Sequence, residues 1–308
     1  MELNAAPDSA HHIACSPMDA AAAAQALHDA IVGLENVVIT RYISAAGFVV
    51  LLYDHLLTLD DEVQYVWAAP NTTAKILFLV LRYMVPIFLT ATTVTRSGLP
   101  VIPMSDIVCK IWISSTTYAG WLSIVISNLL VLLRIWTTLP RGHRFIIWSM
   151  YFFVVMQLMS LGVTTWVITN MIPVLVFEPL VGLCTFNEKP NVVGLWLPGL
   201  AFEVVVFGTV CWNVLDRPRS VGIDSQEGKI TRVLARDGVL YFVVISGLRV
   251  ANTVIAIVAP ISSLFIIVFF IWAGTTVTTS RLIINSRREA GEREKMAQLE
   301  ELVVYNAY

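Results

Sequence analysis

Five of the ionisable side chains within long apolar stretches of this 308-residue sequence are candidates for a site, because a charge is costly there. They are Asp54, His55, Arg82, Glu203 and Arg249. Opposite charges at a similar depth on neighbouring helices can form ion pairs. The sequence therefore predicts that Asp54 contacts Arg82, and that Glu203 contacts Arg249. Both contacts could be structural ion pairs, or the second could be a ligand, ion or proton site.

The stretches that carry these charges have the length of membrane-spanning helices. A span needs roughly 20 mostly apolar residues to cross about 30 Å of hydrocarbon, and seven stretches satisfy this requirement. The alternation typical of a β-barrel is not visible, so helices must satisfy the backbone hydrogen bonds in lipid. The sequence predicts an all-α membrane protein, a bundle of seven transmembrane helices. The predicted spans are 36–58, 74–96, 107–134, 144–169, 192–215, 237–259 and 261–284.

The composition supports a chain that is solvated largely by lipid. Hydrophobic residues make up 57% of the sequence and charged residues only 14%, with a mean hydropathy of +0.74. Soluble domains carry about 25% charged residues, so this chain has too little polar surface to face water throughout. The few basic residues and the net charge of -2 give no indication of nucleic-acid binding. The expected partner is the lipid bilayer, of the plasma membrane or an endomembrane.

The distribution of Lys and Arg among the predicted loops indicates the orientation. With the N-terminus outside, 14 of the 20 Lys and Arg residues lie on the inner side and 4 on the outer side. Residues 1–33 are then an extracellular or lumenal polar tail, with at most a short alanine-rich helix. Residues 34–285 form the transmembrane domain. Residues 286–308 are a cytoplasmic tail, either a helix lying on anionic lipid or a solvated segment.

Three sequence motifs resemble those of a known family. They are YDHLLTLDDEVQYVW (53–67), LLRIW (132–136) followed by RGHR (141–144), and LARDGVLYFVVI (234–245). Together they resemble a large family of fungal, mostly basidiomycete, seven-span proteins known as domain of unknown function 6533. The resemblance covers about residues 38–285 and implies the same seven-helix plan, but no activity. The sequence departs from the family pattern at 136–138.

Six charged residues form the predicted cytoplasmic-face motif: Asp60, Asp61, Glu62, Arg134, Arg236 and Asp237.

Two cysteines are candidates for a disulfide on the outer side. Cys109 opens the third span, and Cys184 lies in the outer connection 170–191. Disulfides persist on the oxidising side of a membrane, and a bridge here would resemble the one in rhodopsin-like receptors. The alternative is two free thiols, since spacing does not prove connectivity. Cys15 and Cys211 are expected to be unpaired.

A receptor-like function is the leading hypothesis from the sequence. Seven spans, an outer N-terminus, the candidate disulfide and a basic inner loop suited to an acidic cytoplasmic protein partner (216–236) all favour it. The alternative is a small-solute transporter or channel that uses Glu203 and Arg249 in a pathway at the membrane midplane. The absence of an internal repeat between the two halves of the sequence argues against a carrier.

Two kinds of membrane protein are excluded by residue types. A seven-span zinc hydrolase needs about three protein ligands, usually including several histidines, and His55 is the only histidine in a predicted span. A retinal-binding opsin needs a Schiff-base lysine within a helix, and no lysine lies well inside a span. We therefore expect no enzymatic activity, no metal and no cofactor. The sequence does not name a ligand.

The charge distribution predicts a topology that can be tested in cells. An epitope tag at the C-terminus should be accessible to antibody only after permeabilisation, and a tag at the N-terminus in intact cells. The sequon at Asn71 should carry no glycan, because it lies in a predicted inner loop. A C-terminal tag exposed on intact cells, or a glycan on Asn71, would contradict this orientation.

Overall fold

Helices account for nearly all of the chain that the computed structural model describes. The described residues are 17–97, 105–138, 143–179, 182–188, 190, 192–216, 243–244, 246–258 and 267–306. The helices are α1 (Pro17–Leu57), α2 (Leu59–Glu62), α3 (Thr73–Arg96), α4 (Asp106–Thr138), α5 (His143–Met171), α6 (Leu197–Asp216), α7 (Ser246–Val258) and α8 (Val268–Asn306). A π-helical turn (Val63–Trp67) follows α2, and short 3-10 turns occupy Ile172–Val174 and Val193–Leu195.

Four of the described helical segments are long and apolar enough to cross a membrane. They are Ala21–Leu57, Thr73–Arg96, Asp106–Leu133 and Arg144–Val174. Two further apolar segments are shorter, Leu197–Val206 in α6 and Ser246–Val258 in α7. Large apolar side chains such as Trp148 and Val258 are exposed on the outward faces, where lipid rather than water would suit them. Length, composition and surface are those of a helical membrane protein.

The three helices in the middle of the chain match their predicted spans, whereas the first and the last helix are longer than predicted. For α3, α4 and α5, the bounds agree with the predicted spans to within a few residues. α1 begins at Pro17, so the alanine-rich segment is continuous with the first predicted span. Alanine is the strongest helix former, and no proline follows Pro17 before Leu57. α8 likewise continues past residue 285 to Asn306.

A close helix contact joins α1 and α8, the first and the last of the described helices. A Cβ atom on Gly47 of α1 would lie 2.9 Å from the Cα atom of Phe270 in α8, so only glycine fits there. Small residues allow this close approach of helices in membrane proteins. α8 also packs on α4, where the indole of Trp272 donates a 2.7 Å hydrogen bond to Ser123 Oγ. The main apolar core lies among α1, α3, α4 and α8.

A small β-hairpin covers the amino-terminal end of α4. Its strands are β1 (Leu175–Glu178) and β2 (Leu183–Phe186), which pair antiparallel. Gly182 has a φ of 65°, a backbone conformation that other residues rarely adopt, and it makes the turn. Cys184 forms a disulfide with Cys109, with 5.7 Å between Cα atoms, and the amide of Phe177 donates to Asp106 Oδ1 at 2.8 Å. The hairpin is therefore held on α4 by a covalent and a polar contact.

The disulfide predicts a thiol count and a stability effect. Unreduced, denatured protein should react with maleimide at two of its four cysteines, and at all four after reduction. Cys109→Ser and Cys184→Ser should each destabilise the protein by about 2–4 kcal/mol, because the bridge closes a long loop. The double variant should melt no lower than either single variant. Four reactive thiols without reductant would contradict the bridge.

Candidate functional site

An ion pair buried between α6 and α7 forms the centre of the candidate site. Glu203 Oε1 lies 2.9 Å from Arg249 Nε, and both side chains are less than a tenth exposed. α6 and α7 follow one another among the described helices, and their contact brings the two residues to the same level. The structure thus brings together the two residues that the sequence pairs by depth.

Four helices surround a small cavity beside this ion pair. Its volume is about 20 Å³, which is about enough for one water molecule. α4, α6, α7 and α8 each contribute polar side chains to it, and Val131, Phe202 and Val206 supply apolar walls. The polar lining residues are Ser127, Asn128, Glu203, Arg249, Thr275 and Thr279.

Three buried polar atoms at this cavity have no hydrogen-bond partner among the residues that the structure describes. They are Glu203 Oε2, Asn128 Nδ2 and Thr279 Oγ1, and their three residues are at most 5% exposed. Burying such an atom without a partner costs about 1–3 kcal/mol, and most proteins avoid it. The ion pair is therefore only partly satisfied by the protein around it, which is a feature of sites that bind or change state.

The charged residues of this cavity are predicted from the sequence, but its neutral polar residues are not. Ser127, Thr275 and Thr279 are not distinguished by hydropathy, because serine and threonine are common within apolar helices. Two signals were available. The pair Ser127-Asn128 interrupts an apolar run, and Thr275 and Thr279 lie four residues apart on one helix face.

A second polar cluster joins α1, α2, α3 and α8. Arg82 donates from Nε to Glu62 Oε2 at 2.5 Å and from its terminal nitrogen to Thr58 Oγ1 at 2.7 Å. Arg281 of α8 donates from Nε to Asp54 Oδ1 at 2.5 Å. We call these five residues, Asp54, Thr58, Glu62, Arg82 and Arg281, the clasp. The clasp ties the turn after α1 to α3 and ties α1 to α8.

The predicted contact of Asp54 with Arg82 is wrong. α1 ends at Leu57, and the short helix α2 returns Glu62 into the bundle, where it is fully buried and takes Arg82 as its partner. The predicted spans 36–58 and 74–96 put Glu62 in the loop between them. Asp54 instead faces α8 and pairs with Arg281. His55 contributes its backbone carbonyl to Arg82 and packs its ring edge-on against Tyr83, with 5.3 Å between ring centres.

Glu62 differs from Glu203 in that both of its oxygens have partners. Oε2 accepts from Arg82, and Oε1 accepts from the indole of Trp67 at 2.9 Å and from the hydroxyl of Tyr83 at 3.1 Å. The π-helical turn Val63–Trp67 carries the indole donor. A buried charge with this many partners is a structural anchor.

The predicted cytoplasmic-face motif is only partly assembled by the structure. Glu62 belongs to the clasp, and Asp61 lies 3.8 Å from Arg288 in a partly exposed pair. Asp60 is exposed, and Arg134 lies in α4. Arg236, Asp237 and most of the basic loop 216–236 lie outside the described residues. Among the described residues, no three histidine, cysteine or acidic side chains are grouped in a way that could hold a metal ion.

Comparison with known proteins identifies a family for the segment that contains most of the clasp. Residues 42–87 match the family of unknown function DUF6533. This match confirms the resemblance to that family over residues 42–87, which contain the first of the three motifs. The matched segment contains Asp54, Thr58, Glu62 and Arg82, so it corresponds to the structural anchor and not to the cavity. A comparison with curated proteins finds no match.

The clasp predicts unequal effects for two arginines near the same turn. Arg82→Ala should destabilise the protein by about 3–5 kcal/mol, because it leaves Glu62 charged, buried and short of a partner. The matched control, Arg288→Ala, removes a partly exposed pair and should cost at most about 1 kcal/mol. Thermal unfolding in detergent would measure both. Equal effects would contradict the assignment of the clasp as the anchor.

Proposed function

We propose that this protein is a receptor-like membrane protein with seven transmembrane helices, an outer N-terminus and a cytoplasmic C-terminus. In this proposal, the protein has two conformational states, which differ in the contacts that Glu203 and Arg249 make. The bias of Lys and Arg in the loops supports the orientation. Four helices of spanning length, together with α6, α7 and α8 at the positions of the last three predicted spans, support the count.

The observation that carries the proposal is the placement of α4. At its outer end, α4 is joined to the β-hairpin through the Cys109–Cys184 disulfide and Asp106. About 28 Å further along the same helix, Ser127 and Asn128 line the polar cavity. A molecule that binds at the hairpin would therefore act on a helix that lines the buried ion pair. Such an arrangement suits the transmission of an outer signal into the bundle.

In this proposal, the two-state element is the set of hydrogen bonds around the polar cavity. Asn128 and Thr279 each present a polar atom without a described partner beside the Glu203–Arg249 pair. In this proposal, Glu203 accepts from Asn128 or Thr279 in one state and only from Arg249 in the other, and the two sets of hydrogen bonds lie close in free energy. An outer ligand that favoured one set would shift the population of the two states.

α8 would carry the change to the cytoplasmic side. Thr275 and Thr279 of α8 line the cavity, and Arg281, two residues further, belongs to the clasp. The helix has 39 residues and is about 58 Å long, roughly twice what the hydrocarbon requires. Its distal part would therefore project into the cytoplasm, where it and the basic loop 216–236 would meet a protein partner.

The size of the cavity favours a receptor over a solute transporter or channel. A volume of about 20 Å³ is about enough for one water molecule and is far below that of a site for a small solute. A fixed solute site at the Glu203–Arg249 pair would need more room than this. Transport remains a distinct outcome of the test below.

The proposal predicts that breaking the ion pair changes helix positions. Spin labels on Ile147→Cys in α5 and Val250→Cys in α7, both exposed sites, would report the spacing of these helices in lipid nanodiscs. Cys15 and Cys211 would be replaced by serine. Glu203→Gln should shift the population between two distances, because it removes the charge that holds Arg249.

The control for this experiment is Asp61→Asn, which neutralises the acidic partner of a partly exposed pair and should leave the distances unchanged. One distance that is the same in all variants would contradict the proposal. A solute or ion flux in proteoliposomes that Glu203→Gln abolishes would also contradict it, in favour of a transporter.

A further inference from the structure

The three unpartnered atoms belong to residues on three different helices, and these residues line one small space. Asn128 Nδ2 comes from α4, Glu203 Oε2 from α6 and Thr279 Oγ1 from α8, and all three residues line the same cavity. Their residues are almost completely buried, so bulk water cannot form hydrogen bonds with these atoms. A cavity of about 20 Å³ has room for a molecule of about the size of water.

The hydroxyl of Thr279 differs from those of its neighbours on α8. Thr275 and Thr276 both donate to the backbone carbonyl of Trp272, and Thr278 donates to that of Gly274. This local bond to a preceding carbonyl is the usual choice of a threonine within a helix. Thr279 Oγ1 makes no bond to any described residue, although Thr279 is fully buried. Its hydroxyl is therefore available to a molecule in the cavity.

The three atoms require different hydrogen-bonding partners. The amide nitrogen of Asn128 can only donate, the ionised oxygen of Glu203 can only accept, and the hydroxyl of Thr279 can do both. A metal cation would meet the amide hydrogens of Asn128 and the guanidinium of Arg249 at close range. An anion would meet the carboxylate of Glu203. A neutral molecule that both donates and accepts satisfies all three atoms at once.

We propose that the cavity binds one neutral, water-sized molecule with both donor and acceptor groups, an ordered water in the resting protein. It accepts from Asn128 Nδ2, donates to Glu203 Oε2 and exchanges a hydrogen bond with Thr279 Oγ1. Buried waters typically make about three such bonds. The molecule thereby links α4, α6 and α8 around the ion pair. The role of this molecule in a change of state at Glu203 and Arg249 rests on the proposed function, but its binding does not.

The direction of one stability change tests the proposal. Thr279→Val removes the hydroxyl and keeps the side-chain shape. With a bound molecule, the variant should melt several degrees lower than the wild type, because a hydrogen bond is lost. With an empty cavity, it should melt higher, because an unsatisfied buried hydroxyl is removed. Thr276→Val is the matched control, a buried threonine that bonds only to its own helix, and should change the melting temperature less.

Two further measurements test the identity of the bound molecule. Thr279→Ser keeps the hydroxyl and should restore a melting temperature close to that of the wild type. Sodium, potassium and choline chloride at equal ionic strength should give the same melting temperature. A higher melting temperature for Thr279→Val overturns the proposal, and so does an effect no larger than that of Thr276→Val. A sodium-dependent stabilisation that Glu203→Gln abolishes overturns it as well, in favour of a cation.

These results are independent of helix movement. Melting temperatures that follow the prediction, together with spin-label distances that do not change, would refute the receptor proposal and leave the bound molecule in place. A rise in the melting temperature of Thr279→Val, together with two helix spacings, would refute the bound molecule and leave the receptor proposal in place.

Discussion

The cost of burying charge in an apolar interior is the constraint on which this structure depends. An isolated charge in such an environment costs several kcal/mol, so buried ionised groups must be paired. Three pairs satisfy this requirement among the described residues: Glu62 with Arg82, Asp54 with Arg281, and Glu203 with Arg249. Each pair joins different helices. The need to pair charges therefore also determines which helices are neighbours.

The pairs differ in how completely their partners satisfy them, and this difference separates an anchor from a candidate switch. Glu62 has donors on both oxygens and holds the turn between α1 and α3. Glu203 has a partner on one oxygen, and its other oxygen has none among the described residues. α8 takes part in both places, since Thr279 lines the cavity and Arg281 completes the clasp. A change at the cavity thus has a direct structural route to the clasp.

The sequence predicts the helices and one of the pairs well, because both follow from the apolar pattern. The limits of the apolar stretches are enough to predict the bounds of α3, α4 and α5. The similar depth of Glu203 and Arg249 in their spans is enough to predict their contact. The partner of Arg82 could not be predicted, because α2 returns Glu62 to the bundle after a stretch that reads as an acidic loop. The polar lining was missed for a different reason. Hydropathy does not show which threonine bonds to its own helix and which faces a cavity.

A double-mutant cycle on Glu203 and Arg249 tests most directly whether charge pairing organises the interior. Unfolding free energies would be compared for Arg249→Ala, Glu203→Ala and the double variant in the same detergent. The account predicts that each single variant loses more stability than the double variant, because each leaves one buried charge without its partner. A double variant that loses the sum of the two single effects would contradict the account.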